Sequence, residues 1–203
     1  EEGMHVLKSY DKKAFEDLKI DVPSSIGKIN LLILDSYSDF QNSHVKKLFE
    51  NADNYYPNFN NWYNHKLIKD VVKDSSVCCN YFNNHLYSDE VGHLSDLNFP
   101  TGRFVIAASV DENLAGLSVL KKHPSEYKIS TFFVDDKYSG FGLGTLLLNC
   151  SLSVLWDKGV NITVSEGALD KMVPFLTKNG FKEYKSIVGE YYKNKKETHF
   201  VKK

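Results

Sequence analysis

The chain has 203 residues, 42% of them hydrophobic and 13% aromatic, enough apolar mass for one packed domain and too much for a disordered chain. A formal net charge of −1 and a single arginine, Arg103, argue against a dedicated nucleic-acid binder, because bidentate phosphate and base-edge recognition falls mainly to arginine. The cysteines, Cys78, Cys79 and Cys150, fit neither a disulfide framework nor a zinc-ligand spacing, so reduced thiols and no metal are expected.

Residues 1–27 read as an N-terminal extension ahead of a domain spanning 28–203. The charged start, EEGMHVLKSYDKK, lacks the apolar segment of a secretory leader, and no stretch reaches the roughly 18 apolar residues of a membrane span. A cytoplasmic protein with no membrane partner is the expectation. Ala14, Phe15 and Leu18 make a short amphipathic piece before Pro23-Ser24-Ser25, which predicts an added helix or a tethered arm. Ile29–Leu34 is a continuous apolar run and predicts a buried strand. Ser38 with Gln41 three residues on reads as a capping box, opening a helix with Val45, Leu48 and Phe49 on its apolar face. Residues 51–65 are rich in Asn and aromatics around Pro57 and predict a loop. Helical spacing resumes over Trp62–Val72, and residues 74–100 read as loop with short helix.

From Gly102 the period changes to that of strands. Phe104–Val110, Leu114–Leu120 and Tyr127–Val134, with turns at Asp111–Asn113 and Lys121–Glu126, predict an antiparallel meander. A helix over Gly142–Asp157 stops at Gly159. A strand at Val160–Val164, a helix at Ala168–Lys178 and strands at Phe181–Ile187 and Thr198–Val201 complete the order β-α-α-β-β-β-α-β-α-β-β. The fold class is α/β, with a mixed, mostly antiparallel sheet flanked by helices.

Between the third meander strand and its helix stand Gly140, Gly142 and Gly144. Free amides of a glycine loop and the positive end of a helix dipole make a place for a phosphate. A dinucleotide loop needs G-x-G-x-x-G opening a parallel βαβ unit, which this spacing and meander do not supply. A plain tight turn needs fewer glycines. Phe132-Phe133-Val134 followed by Gly140-Phe141-Gly142-Leu143-Gly144 resembles the most diagnostic segment of the GNAT superfamily of acyl-CoA N-acyltransferases. The element order is that family's order, and Phe175-Leu176-Thr177-Lys178-Asn179-Gly180-Phe181 looks like its helix-ending signature. The likeness covers roughly residues 28–201.

The resemblance implies a GNAT-like fold and acetyl-CoA as acyl donor. It puts the coenzyme pyrophosphate on the amides from Gly140 through Phe141, Gly142, Leu143 and Gly144 to Thr145, and a thioester-polarising N–H near Phe133 and Val134. Ser139 stands where the family has Arg or Gln, and Asp136 where Pro is common, so a weaker coenzyme grip is expected. Phe175 falls beside the cofactor, and Ser165 is placed to hold the pantetheine arm. A Cβ at Gly142 is expected to block the phosphate. The family's acid, a tyrosine, would fall at Leu176, which cannot donate a proton. Tyr184, Tyr191 and Tyr192 are the substitutes, with Tyr191 as the choice.

Transfer to an amine also needs a base. Glu166, just past the strand beside the thioester, is the candidate, with a helix cap as its alternative role. Asp89, Glu90, His85 and His93 are rivals from the variable region. Residues 35–96 hold 9 carboxylates against 5 lysines; over an acceptor cleft that field would favour a cationic amine. From Lys171 onward there are 9 lysines against 3 glutamates, which keeps tRNA open as an acceptor-bearing partner. The expected function is N-acetylation of a primary amine, small molecule or protein, by direct attack, in a monomer or homodimer. Toxin-like acetylation of aminoacyl-tRNA and non-catalytic acyl-CoA sensing stand as alternatives.

Overall fold

The computed structural model describes residues 4–53, 62–73, 101–155, 159–191 and 193–203. His5–Asp11 forms strand β1 and Lys12–Asp17 helix α1, whose N-cap Asp11 accepts a hydrogen bond from the Ala14 amide at 2.9 Å. The apolar run at 29–34 becomes β2 (Lys28–Leu34), which pairs antiparallel with β1. Residues 4–27 therefore add an edge strand to the sheet, and Leu7, Tyr10 and Phe15 anchor it in the core. The added helix expected around Ala14 and Phe15 forms as α1; the edge strand ahead of it, with Leu7 and Tyr10 buried, has no counterpart in the expectation from sequence.

Helices α2 (Tyr37–Gln41) and α3 (Ser43–Asp53) follow. The capping box sits two residues earlier than Ser38-Gln41: Ser36 Oγ accepts from the Asp39 amide at 3.2 Å, and Asp39 Oδ2 accepts from the Ser36 amide at 3.2 Å. The Asp35 amide also donates to that carboxylate at 3.0 Å, so the short buried Asp39 serves two orphan donors. Residues 62–73 are helical, with a π-helical turn over Tyr63–Leu67.

The meander is β3 (Gly102–Val110), β4 (Asn113–His123) and β5 (Glu126–Val134), each longer than its apolar run. Asp111 and Glu112 adopt φ of 46° and 69°, the two-residue hairpin geometry that matches strand twist. Helix α4 (Leu143–Leu155), strand β6 (Val160–Ser165), helix α5 (Leu169–Lys178) and strands β7 (Lys182–Val188) and β8 (Lys196–Lys202) complete the fold. The sheet order is β1-β2-β3-β4-β5-β6-β8-β7, antiparallel throughout except for β5 beside β6.

Strand side chains alternate between two apolar layers. Phe104, Ile106, Ile129 and Ile162 pack with α4 on one face. Val105, Ala107, Leu117 and Phe133 pack with α3 and residues 62–73 on the other. Cys150 lies buried in the first layer, where desolvation pushes its thiol up to about 12, so it is inert. Among the described residues no helix is long and apolar enough to cross a membrane.

Candidate active site

The parallel pairing of β5 with β6 is confined to Lys128–Asn161 and Ile129–Ile162. In the β4–β5 ladder Val119 faces Thr131 and Leu120 faces Ile129, leaving Ser130 as an extra residue on β5. Such a bulge bends its strand, and here it comes directly after the last residue paired with β6. The far half of β5 is thereby turned away from β6, and a gap opens in the middle of the sheet. The Asp135 amide donates to the Ala115 carbonyl of β4 at 2.8 Å. Backbone groups alternate sides along a strand, so the Val134 N–H points the other way, into the gap.

On the α4 face, the end of β5 and the head of α4 border a cleft of about 420 Å³. Phe133, Val134 and Ser139 line it on the strand side, and Gly140, Gly142, Leu143, Gly144 and Thr145 line it along the loop. Phe175 closes it from α5, its ring stacked on Phe132 with centroids 5.6 Å apart. The first bond of α4 runs from the Leu146 amide to the Gly142 carbonyl. The amides of Leu143, Gly144 and Thr145 thus precede the helical ladder and are the ones a phosphate can use. Lys171 and Lys178 line the same cleft, and Lys171 is ion-paired to Asp136. The cradle suits a pyrophosphate with an apolar tail.

Two expectations about this cleft change. Phe141 turns its side chain into the core and does not line the cleft, because the loop alternates sides there. A Cβ on Gly142 would meet the Ile20 side chain at 3.5 Å, an ordinary contact, and not the space for a phosphate. Glycine is required at Gly140 and Gly142 by their φ of 93° and 89°, which L side chains rarely adopt. Leu176, at the position of the family's acid, is fully buried.

On the opposite face a second cavity of about 560 Å³ faces the gap. Ser165 and Tyr191 line this one; Ser165 is not in the coenzyme-type cleft. Glu166 lines neither, and is exposed at the head of a 3-10 turn, Glu166–Ala168. The base expected there thus sits on an exposed turn next to Ser165 and lines neither cavity. Tyr192 and the rivals Asp89, Glu90, His85 and His93 lie outside the described residues.

The cavity holds a carboxyl that no sequence motif marks. Glu197 on β8 pairs in register with Ser165, at the open end of the gap, and is 3% exposed. Its Oε1 has no hydrogen-bond partner among the described residues. Burial raises the Glu197 pKa, and the Glu190 charge adds to the rise while Lys128 and Lys195 oppose it. Two residues along β8, His199 Nε2 meets Glu190 Oε2 at 2.5 Å and Nδ1 lies 3.4 Å from Thr163 Oγ1. Both ring nitrogens are engaged, so His199 is fixed in place and Glu197 is the open base. The Tyr191 hydroxyl accepts from Lys128 Nζ at 3.0 Å. The signal available in sequence was Glu197-Thr198-His199-Phe200, titratable and non-titratable residues alternating on a strand. Among the described residues no group of three or more His, Cys, Asp or Glu could hold a metal ion.

A family model described as an acetyltransferase (GNAT) domain matches residues 93–192. No curated protein matches the chain. A probable acetyltransferase from Staphylococcus epidermidis superposes with a TM-score of 0.57 at 12% identity, over 85% of this chain and 97% of that one. The PaiA N-acetyltransferase of Thermoplasma acidophilum, solved with coenzyme A, gives 0.54 at 15% identity over 84% of this chain and 97% of that one. A Desulfovibrio desulfuricans protein of the GNAT family gives 0.53 at 14% identity, over 85% of this chain and 97% of that one. At these identities the structural likeness establishes the fold.

Proposed function

This chain belongs to the GNAT superfamily of acetyltransferases, and we propose that it moves an acetyl group from acetyl-CoA to a primary amine by direct attack. The observation that carries the reading is the gap between β5 and β6. It has a phosphate-type cradle on one face, a buried carboxyl whose Oε1 has no partner among the described residues on the other, and the Val134 N–H between them. In this reading the amides of Leu143 to Thr145, with Lys171 and Lys178, hold the pyrophosphate of the coenzyme. Phe132 and Phe175, which line the same cleft, flank its pantetheine arm.

The Val134 N–H hydrogen-bonds the thioester oxygen and strengthens that bond as negative charge develops. Glu197 takes a proton from the amine nitrogen as nitrogen attacks the carbonyl carbon, and the carbon–sulfur bond breaks. Its raised pKa makes it a stronger base than an ordinary carboxylate. Tyr191, which lines the cavity together with Tyr184, returns a proton to the thiolate, with water as the other source. The reading is tested by thiol release from acetyl-CoA with a panel of amines, the acetylated product being identified by mass. Amine-dependent release is expected. Coenzyme binding without any amine-dependent release would make the chain an acyl-CoA sensor.

A further inference from the structure

The glycine loop has a back as well as a front. Gly142 lines the coenzyme-type cleft, while the direction its missing Cβ would take is filled by Ile20 Cγ2 at 3.5 Å. Phe141 and Leu143, on either side of it, are buried in the core. Gly140 and Gly142 hold φ of 93° and 89°, yet glycine visits both signs of φ about equally and loses the most freedom on ordering. Such a loop has little shape of its own. Its shape is imposed by what packs behind it, and behind Gly142 stands Ile20.

The N-terminal segment is built to put Ile20 there. At the end of α1 the Lys19 amide donates to the Glu16 carbonyl at 3.0 Å, and the Ile20 amide donates to the Phe15 carbonyl at 2.9 Å. With Lys19 at φ 54°, these two bonds make a Schellman ending, whose next residue packs back on the helix's last turn. Phe15 is accordingly buried, and Ile20 packs against the same core. The far end of the segment is pinned as well. The Gly27 and Lys28 amides donate to Asp111 Oδ1 at 3.1 and 2.9 Å, which ties it to the β3–β4 hairpin. Ile20 lies outside residues 93–192, the stretch matched by the acetyltransferase model.

We propose that Ile20 is a positioning residue for the coenzyme: it holds residues 140–145 in the shape that presents the Leu143 to Thr145 amides before the coenzyme arrives. This rests on the coenzyme reading of the cleft and extends that site into residues 18–27. Without the Ile20 side chain the ligand itself has to order the loop, and the cost of ordering is subtracted from its binding free energy.

Two measurements on the full chain test this, one without ligand. In the free protein, amide hydrogen exchange over residues 140–145 should quicken in Ile20→Ala, because local opening becomes easier. In calorimetry, coenzyme A should bind that variant about three- to tenfold more weakly, while Ile20→Val, which keeps the methyl facing Gly142, should bind nearly as the native chain does. Ile26→Ala is the control of equal size: Ile26 is half-buried against the same core in the same segment, so it reports a general loss of packing. It should lower Tm without altering loop exchange or affinity. If Ile20→Ala does not fold, Ile20→Leu, of equal volume but unbranched at Cβ, replaces it with the same expected signs. Native exchange and affinity in the Ile20 variant, or equal changes in Ile26→Ala, would overturn the proposal. Quickened loop exchange in a chain whose native form does not bind coenzyme A would instead sink the coenzyme reading and leave Ile20 as the support of the loop.

Discussion

The cleft on the α4 side of the gap is drawn mostly from one short stretch of chain, residues 132–145, with α5 closing over it. The cavity on the other side takes side chains from each of β3 through β8. The first offers backbone amides and apolar surface; the second offers titratable side chains held by register. A site made of backbone fixes a ligand common to many sequences, whereas a site made of side chains can be retuned one residue at a time. In the proposed reading donor chemistry and acceptor chemistry are therefore separately encoded, and substitutions on the two sides should separate binding of the coenzyme from turnover.

The sharpest separation is expected at Glu197. Glu197→Gln should lower kcat by about 10²–10⁴-fold, the range for a lost general base, with coenzyme A affinity preserved in calorimetry. In the native enzyme kcat/KM should rise with pH through a pKa above the ordinary carboxylate range, because the base acts deprotonated. The same raised pKa has a stability consequence. A carboxyl whose pKa is higher folded than unfolded contributes stability at acid pH that is lost as pH rises through the folded value. Glu197→Gln should then raise Tm at neutral pH, by an increment that shrinks on acidification. Glu166→Gln, on the exposed turn, should change neither reading. Equal losses for both variants would return the base to Glu166.

Next in size is Val134. Val134→Pro removes the N–H that faces the gap and leaves the β4 ladder its bonds, since that amide points away from β4. Loss of one carbonyl-polarising donor is worth about 10²–10³ in kcat, with coenzyme affinity reporting that the fold is intact. A kcat close to native would move the polarising group elsewhere.

The two sides also differ in how far the sequence discloses them. The glycines, the meander before them and the helix after them are local patterns, and the cleft assembles where they predict. Why the glycines are needed was not legible: φ is a property of the folded loop, and only the fold places Ile20 where a Gly142 side chain would go. On the cavity side, no window of sequence contains Glu197 together with Lys128, Ser165 and Tyr191. Their meeting depends on β5–β6–β8 register and on the Ser130 bulge, neither of which has a periodic signature. The edge strand β1 was hidden for a related reason. Its partner β2 reads as buried from its own apolar run, but nothing in His5–Asp11 says which edge it joins.

A smaller effect is expected in the backbone-built cleft. Gly142→Val forces an L side chain into a positive-φ position, at a strain of about 1–2 kcal/mol, so coenzyme A should bind roughly tenfold more weakly as the loop shifts. Fluorescence or calorimetric titration measures it. Full affinity in this variant would detach the loop from phosphate binding, and with it the backbone side of the comparison.

The smallest effect concerns an ion pair beside that cleft, Lys171 with Asp136. Both side chains are substantially exposed, 49% and 69%, and such a pair contributes about 0–1 kcal/mol; Asp136→Asn should leave Tm nearly unchanged. Lys171 also lines the cleft, so a bound phosphate has to compete with Asp136 for its ammonium. Releasing the lysine should tighten coenzyme A by about two- to fivefold, the equivalent of a fraction of that same interaction, and the gain should fade with added salt as screening weakens the lysine–phosphate attraction. Lys171→Gln should give the opposite sign with the same salt dependence. Weaker binding in Asp136→Asn would mean that the aspartate holds the loop in shape, making side chains as necessary to the coenzyme cleft as they are to the acceptor cavity.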